Sequence, residues 1–317
     1  MRARLEKLSG VTVSKSAANL TEAYHEAEHH PPAIAVFGKS LTLLPEFEVL
    51  HYVLRALHVR ITVFVDTKGA SLPAGLTGQD IALIDESMSD AELHAALTPG
   101  ARPAPVAPAS RISQPTGARA IGAAPGRLIM IGSSTGGVEA LIDVLSNFDA
   151  TSPPTMLVQH TGGTFSGGLA RLLDGKTNAK VLEAEHNMVV KSGMVVLAPG
   201  DAAHLQVQMQ GTTVRCKLVG APEIGGHRPA VDALFRSGVA HAPKIAAAIL
   251  TGMGKDGAEG LADLRKAGAR TFGQDQETSL VYGMPKVAAD IGAVERQLPL
   301  GKIGPALISA SSERTVA

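Results

Sequence analysis

A chain of 317 residues, 45% hydrophobic and 18% charged, has enough apolar side chains for two ordinary α/β domains and excludes disorder throughout. Lys+Arg and Asp+Glu both number 29, so the formal net charge is +0 and no general attraction draws the protein to nucleic acid or to anionic membranes. With 3% aromatics and no Trp the composition disfavours base-stacking platforms, and Cys216 as the single cysteine excludes an intrachain disulfide and a cysteine zinc cluster.

The first residues, MRARLEKLSG, are charged too early to hold the apolar stretch of a signal peptide. No run approaches the ~18 apolar residues of a membrane helix, so a cytoplasmic protein without membrane insertion is expected. Val11–Val13, Ala33–Phe37, Ile61–Val65 and Ile81–Ile84 read as strands, and Leu20–His30, Pro45–Leu57 and Asp90–Leu97 as helices. Such alternation specifies a parallel sheet with helices on its faces. His25-Glu26-Ala27-Glu28-His29 fits the His-Glu-x-x-His zinc pattern, but no third ligand stands at a useful spacing and a solvated helix face is the simpler reading. Pro99–Gly126 mixes Pro, Ala, Gly and Ser with arginines and has neither helical nor strand periodicity, as a linker does. The expected organisation is therefore a small domain over 1–98, a linker over 99–126 and a larger domain over 127–317.

Past the linker the strand–helix alternation returns. Leu128–Ile131, Thr155–Gln159 and Ala246–Leu250 are apolar runs of the kind buried on both faces of a doubly wound, mostly parallel sheet. Val138–Phe148 places apolar residues on one helical face. Met194–Ala198 and Leu205–Leu218 read as further strands, with a hairpin turn at Gln210-Gly211, and Val231–His241 as a helix. Gly132-Ser133-Ser134-Thr135-Gly136-Gly137 joins a strand to a helix, where glycines permit a sharp turn and close backbone approach. A phosphate cradle, a dinucleotide turn and a nucleophile elbow centred on Ser134 all fit that position. The segment lacks a full Gly-x-Gly-x-x-Gly and a phosphate-loop lysine, which weakens nucleotide binding.

Two further residues fall at equivalent places. His160 directly follows the strand Thr155–Gln159, and Asp256 lies in the loop Thr251–Gly257 after Ala246–Leu250. A serine hydroxyl needs an imidazole to remove its proton, and the imidazole needs a carboxylate to orient it. Ser134, His160 and Asp256 supply one of each beyond the carboxyl ends of parallel strands. Their order, Ser then His then Asp, differs from the Ser, Asp, His order of the α/β-hydrolases and disfavours that fold.

The segments IGSSTGGVEAL (131–141), PPTMLVQH (153–160), VLAPGDAAHL (196–205), GHRPAVDALF (226–235), ILTGMGKDGAEGL (249–261) and VYGMP (281–285) resemble, in order, those of the CheB family of chemotaxis receptor glutamate methylesterases. The resemblance implies Ser134 as nucleophile, His160 as base and Asp256 as its orienting carboxylate. It implies hydrolysis of γ-glutamyl methyl esters on methyl-accepting chemotaxis receptors, with glutamine deamidation as an associated activity and other chemotaxis signalling proteins as further partners. No cofactor and no metal are called for. Backbone N–H groups at Thr135 and Met253 are the expected oxyanion donors, each worth on the order of 3 kcal/mol. Thr161-Gly162-Gly163 stands where the family has Met-Pro-Pro after the histidine, a looser loop.

The first domain resembles a flavodoxin-like receiver that has degenerated. Gly38 occupies the place of the phosphorylated aspartate, the strand with the acidic Mg²⁺ pair is missing from the sequence, and Asp85-Glu86 stands where a lysine belongs. A pseudo-receiver that takes no phosphate follows, and a non-catalytic receptor-binding adaptor is the alternative to the enzyme. His204, His227 and Asp232 read as structural, Arg171 as solvated, and Cys216 as a small apolar filler.

Overall fold

The computed structural model describes residues 2–66, 81–98, 126–161, 165–200 and 203–312, and the chain divides into two compact units, Met1–Ala120 and Ile121–Ala317. Residues 99–125 of the expected linker, and Gly162 and Gly163, lie outside the described residues.

The first unit contains α1 (Arg2–Leu5), α2 (Leu20–His29), β1 (Ile34–Gly38), α3 (Pro45–Ala56), β2 (Arg60–Val65), β3 (Ile81–Asp85) and α4 (Asp90–Leu97). The strands form a parallel sheet in the order β1-β2-β3, with Phe37 beside Val63 and Val63 beside Leu83. Helix α2 starts where the Asn19 side chain accepts the Glu22 N–H, and α4 starts in a reciprocal box between Ser89 and Glu92. The expected strand Val11–Val13 does not form. Val11 donates its N–H to the Leu8 carbonyl in a turn, and Val11 and Val13 pack on the cluster of Leu5, Leu8, Ile84, Leu93 and Leu97. Their apolar character serves that cluster rather than a strand ladder.

The second unit runs β4 (Leu128–Ser133), α5 (Gly137–Leu145), β5 (Thr155–Gln159), α6 (Phe165–Asp174), β6 (Lys180–Glu183), β7 (Val189–Val190), β8 (Met194–Leu197), β9 (His204–Gln210), β10 (Thr213–Val219), α7 (Val231–Ser237), β11 (Ile245–Ile249), α8 (Ala258–Lys266), β12 (Arg270–Gln274), α9 (Met284–Asp290), β13 (Arg296–Leu298) and α10 (Leu300–Ser312). Seven strands make one parallel sheet in the order β13-β12-β11-β4-β5-β8-β6. Every residue of β4, β5 and β11 is buried, which is why these strands read as unbroken apolar runs. Helices α7, α8 and α9 cover one face, where Val231, Leu234, Phe235, Leu261 and Met284 join the core; α5 and α10 pack together against the other.

The chain winds outward from β4 through β5 in one direction and from β11 through β12 in the other. The change of direction between β4 and β11 is the switch point at which open α/β sheets form a crevice. A separate antiparallel sheet, β7-β10-β9, contains the expected hairpin, but its turn is Gly211-Thr212, with Gly211 at φ 61°, one residue later than the sequence reading. The helix expected over Val231–His241 stops at Ser237, because Gly238 and Pro243 favour a tighter 3-10 segment over Val239–Lys244.

Cys216 on β10 is 0% exposed and sits in the core, where burial pushes its thiol up to about 12. Native protein is therefore expected to resist a thiol reagent at pH 8 and to react stoichiometrically once unfolded in guanidinium. Fast labelling of the native state would contradict the packing of this hairpin on the sheet.

Candidate active site

Three strand ends build the site. Strand β4 delivers Ser134 into a turn that Gly136 closes at φ 80°, with any Cβ there 2.7 Å from the Leu280 side chain, so only glycine fits. Strand β5 delivers His160, whose N–H donates to the Ser133 carbonyl at 3.1 Å. Strand β11 leads into the loop that carries Asp256, and the Thr251 carbonyl of that loop accepts the Ser134 N–H at 3.0 Å. Gly252 presses on the Ser134 loop so closely that a Cβ would lie 2.7 Å from the Ser134 Cβ. All three residues thus stand at the carboxyl edge, astride the switch point.

His160 and Asp256 are both 7% exposed and are joined by a 2.8 Å hydrogen bond between Nε2 and Oδ2. Asp256 also accepts the Val231 N–H at 2.7 Å and the Asp232 N–H at 3.0 Å, the first donors of α7. Burial alone would raise the Asp256 carboxyl, but the His160 bond and these backbone donors overcome it and hold the group below its ordinary value. Asp232 shows the opposite balance. Burial pushes it up, because the Gly260 N–H at 2.7 Å and the more distant Arg236, at 3.8 Å, compensate incompletely. Of two neighbouring carboxylates, the environment keeps Asp256 ionised.

An ionised Asp256 only accepts, so the imidazole proton of His160 resides on Nε2 and the lone pair on Nδ1. Nδ1 is buried with no hydrogen-bond partner. Ser134 Oγ likewise makes no hydrogen bond among the described residues. Imidazole and carboxylate are therefore paired in this structure, whereas the serine–imidazole bond is not formed, a common condition of sites without substrate.

Sequence reasoning missed the struts between the loops. The Gln159 amide donates to the Ser134 carbonyl at 2.8 Å and to the His160 carbonyl at 3.1 Å, while its oxygen accepts the Ser133 hydroxyl at 2.7 Å. One buried side chain thus fixes the Ser134 and His160 loops together. Thr251 performs the same task from β11, its hydroxyl donating to the Thr135 carbonyl at 2.9 Å and accepting the Val281 N–H at 2.9 Å. The only available signal was a polar residue ending a run of buried apolar ones.

The Thr135 and Met253 N–H groups have no acceptor among the described residues, and the Met253 side chain is 74% exposed at the rim. His204 binds the Pro222 carbonyl and the Ala230 N–H, a structural placement. His227 lies face to face with His160, at a ring separation of 3.9 Å. Arg171 is exposed on α6. In the first unit, Gly38 ends β1, and Asp85 at the end of β3 accepts the Ser87 N–H and hydroxyl. Glu26 of the His-Glu motif pairs with Lys15 at 2.6 Å, and no cluster of metal-ligating side chains exists among the described residues. No helix among them is long and apolar enough to cross a membrane.

A doubly wound parallel sheet with Ser134 in a strand-to-helix turn and a buried imidazole–carboxylate pair at its switch point defines the class, an α/β domain with its candidate site at the carboxyl edge of the sheet. The CheB methylesterase family model matches residues 129–307, and the chain belongs to that family. A protein-glutamate methylesterase/protein-glutamine glutaminase 1 from Caulobacter vibrioides is 49% identical over 191 residues, 60% of this chain and 55% of that protein. A protein-glutamate methylesterase/protein-glutamine glutaminase from Gluconobacter oxydans is 47% identical over 194 residues, again 60% and 55%. The matched region thus spans about half the length of these relatives. The crystal structure of the Thermotoga maritima CheB methylesterase catalytic domain superposes with a TM-score of 0.56 at 37% identity, covering 59% of this chain and 99% of that one.

Proposed function

We propose that the second unit is a serine esterase that removes methyl groups from glutamate side chains of methyl-accepting chemotaxis receptors, with Ser134 as nucleophile, His160 as general base and Asp256 as orienting carboxylate. The observation that carries this reading is the buried His160–Asp256 bond, which leaves the Nδ1 lone pair to take a proton. In the reaction Ser134 Oγ attacks the ester carbonyl as Nδ1 removes its proton. The tetrahedral oxyanion is met by the Thr135 and Met253 N–H groups. Collapse expels methanol, which takes the proton from His160, and a water activated in the same way releases the glutamate carboxylate. A primary amide offers the same planar acyl carbon with ammonia as leaving group, so glutamine deamidation is the second activity of the same site. The relatives' names contain both activities.

The first unit acts as a pseudo-receiver, and the full protein works in the cytoplasm, where receptor signalling segments are exposed. Supporting this are the three-stranded parallel sheet and Gly38 at the carboxyl end of its first strand, where a phosphate acceptor would need a carboxylate. Acetyl phosphate with Mg²⁺ is expected to add no acid-stable, hydroxylamine-sensitive phosphate to the protein; stoichiometric aspartyl phosphate would overturn the pseudo-receiver reading.

The test of the activity is methanol release from methylated receptor membranes. Catalytic turnover by the full chain supports the esterase. Receptor binding with no methanol released supports instead a non-catalytic adaptor that retains the fold.

A further inference from the structure

The segment from Gly220 to Ala230 is held more firmly than a surface connection requires. His204 on β9 staples both its ends, Nε2–H donating to the Pro222 carbonyl at 2.9 Å and Nδ1 accepting the Ala230 N–H at 3.2 Å. Ile224 and His227 exchange N–H···O bonds of 3.0 Å each, and Arg228 Nη1 donates to the Ala221 carbonyl at 3.3 Å. This scaffold presents the His227 ring against His160, with centroids 3.9 Å apart and planes 7° from parallel.

We infer that His227 is a positioning residue for the general base, its stacked ring setting the plane of the His160 imidazole and so the direction of Nδ1. This rests on the proposed role of His160. The bond to Asp256 fixes one ring atom, Nε2, but a single hydrogen bond leaves the ring able to turn about the line to its acceptor. A parallel neighbour at van der Waals distance removes that freedom, and the two constraints together aim the lone pair.

Charge agrees with this role. Burial, then the proximity of His160, lower the His227 pKa, while Asp256 and Glu223 act in the opposite direction without prevailing. The Asp232 N–H donates to Asp256 at 3.0 Å, and Arg228 is the next residue on the same loop. A His227 that stays neutral offers a π face to the cation that His160 becomes on accepting the serine proton, whereas a second cation at this distance would oppose it.

The experiment compares His227→Ala, His227→Leu and His227→Phe with wild type and Ser134→Ala in methanol-release kinetics, with thermal unfolding of each. His227→Ala is expected to lower kcat by about 10–100-fold, the cost of a misaimed base, with KM little changed. His227→Phe, which keeps a flat ring but cannot carry a proton, should recover most of kcat, and His227→Leu should not. Leu as active as Phe would mean space filling alone. Phe as impaired as Ala would mean that His227 works through its nitrogens. Either result overturns the inference. Should the Ala variant fail to fold, the Phe–Leu comparison decides. An unchanged kcat in His227→Ala beside an inactive Ser134→Ala defeats this inference only, while an inactive wild type defeats the esterase reading beneath it.

Discussion

Ser134→Ala should abolish methanol release, lowering turnover by about 10⁴-fold or more, because the residual rate would come only from substrate binding and oxyanion donors. The fold should be untouched. The Ser134 hydroxyl makes no hydrogen bond among the described residues, and the loop is held through its backbone, by the Thr251 carbonyl and the Gln159 amide. Unfolding free energy is therefore expected within about 0.5 kcal/mol of wild type, as for changes that remove no packing or buried bond. Steady-state kinetics and urea titration on the same preparations separate the two effects. A variant that keeps a tenth of wild-type turnover would remove Ser134 from the chemistry.

Asp256→Asn should cost nearly as much activity, about 10³–10⁴-fold, for a different reason. Oδ2 of Asp256 accepts from both His160 Nε2 and the Val231 N–H, and Oδ1 accepts from the Asp232 N–H. An amide nitrogen at either position faces a donor. Turned toward His160, it also forces the imidazole proton onto Nδ1 and destroys the base. Stability should fall by about 1–3 kcal/mol, the cost of leaving buried donors unpaired.

The acid dependence of that loss follows from the Asp256 carboxyl, which is held below its ordinary value. A depressed folded pKa contributes stability that is fully present above the unfolded value, about 4, and is lost as pH falls through the folded one. The difference in unfolding free energy between wild type and Asp256→Asn is thus expected to be flat near neutrality and to shrink below about pH 4. Denaturant titrations across pH 2.5–7 read it directly. A gap that widens in acid would contradict an ionised Asp256.

What could be read from the sequence follows burial. Strands β4, β5 and β11 were legible because they are buried on both faces and so contain almost nothing polar. Val11–Val13 carried the same apolar signal but answers to a side-chain cluster, a distinction that only tertiary neighbours make. Ser134, His160 and Asp256 could be chosen because each follows one of the buried strands, and strand ends are countable. Gln159, Thr251 and His227 could not. Gln159 matters because β5 lies beside β4, Thr251 because β11 flanks β4 on the other side, and His227 because His204 staples its loop over His160. Spacing along the chain records none of these adjacencies.

In the proposed mechanism His160, held by Asp256, activates the Ser134 hydroxyl. Reaction with a fluorophosphonate, followed by peptide mass mapping, addresses it most directly, because such reagents capture a serine only where its proton is removed in place. The expected result is a single adduct on the peptide containing Ser134, formed far more slowly in Asp256→Asn. An adduct on another serine, or none from a preparation that releases methanol, would contradict it.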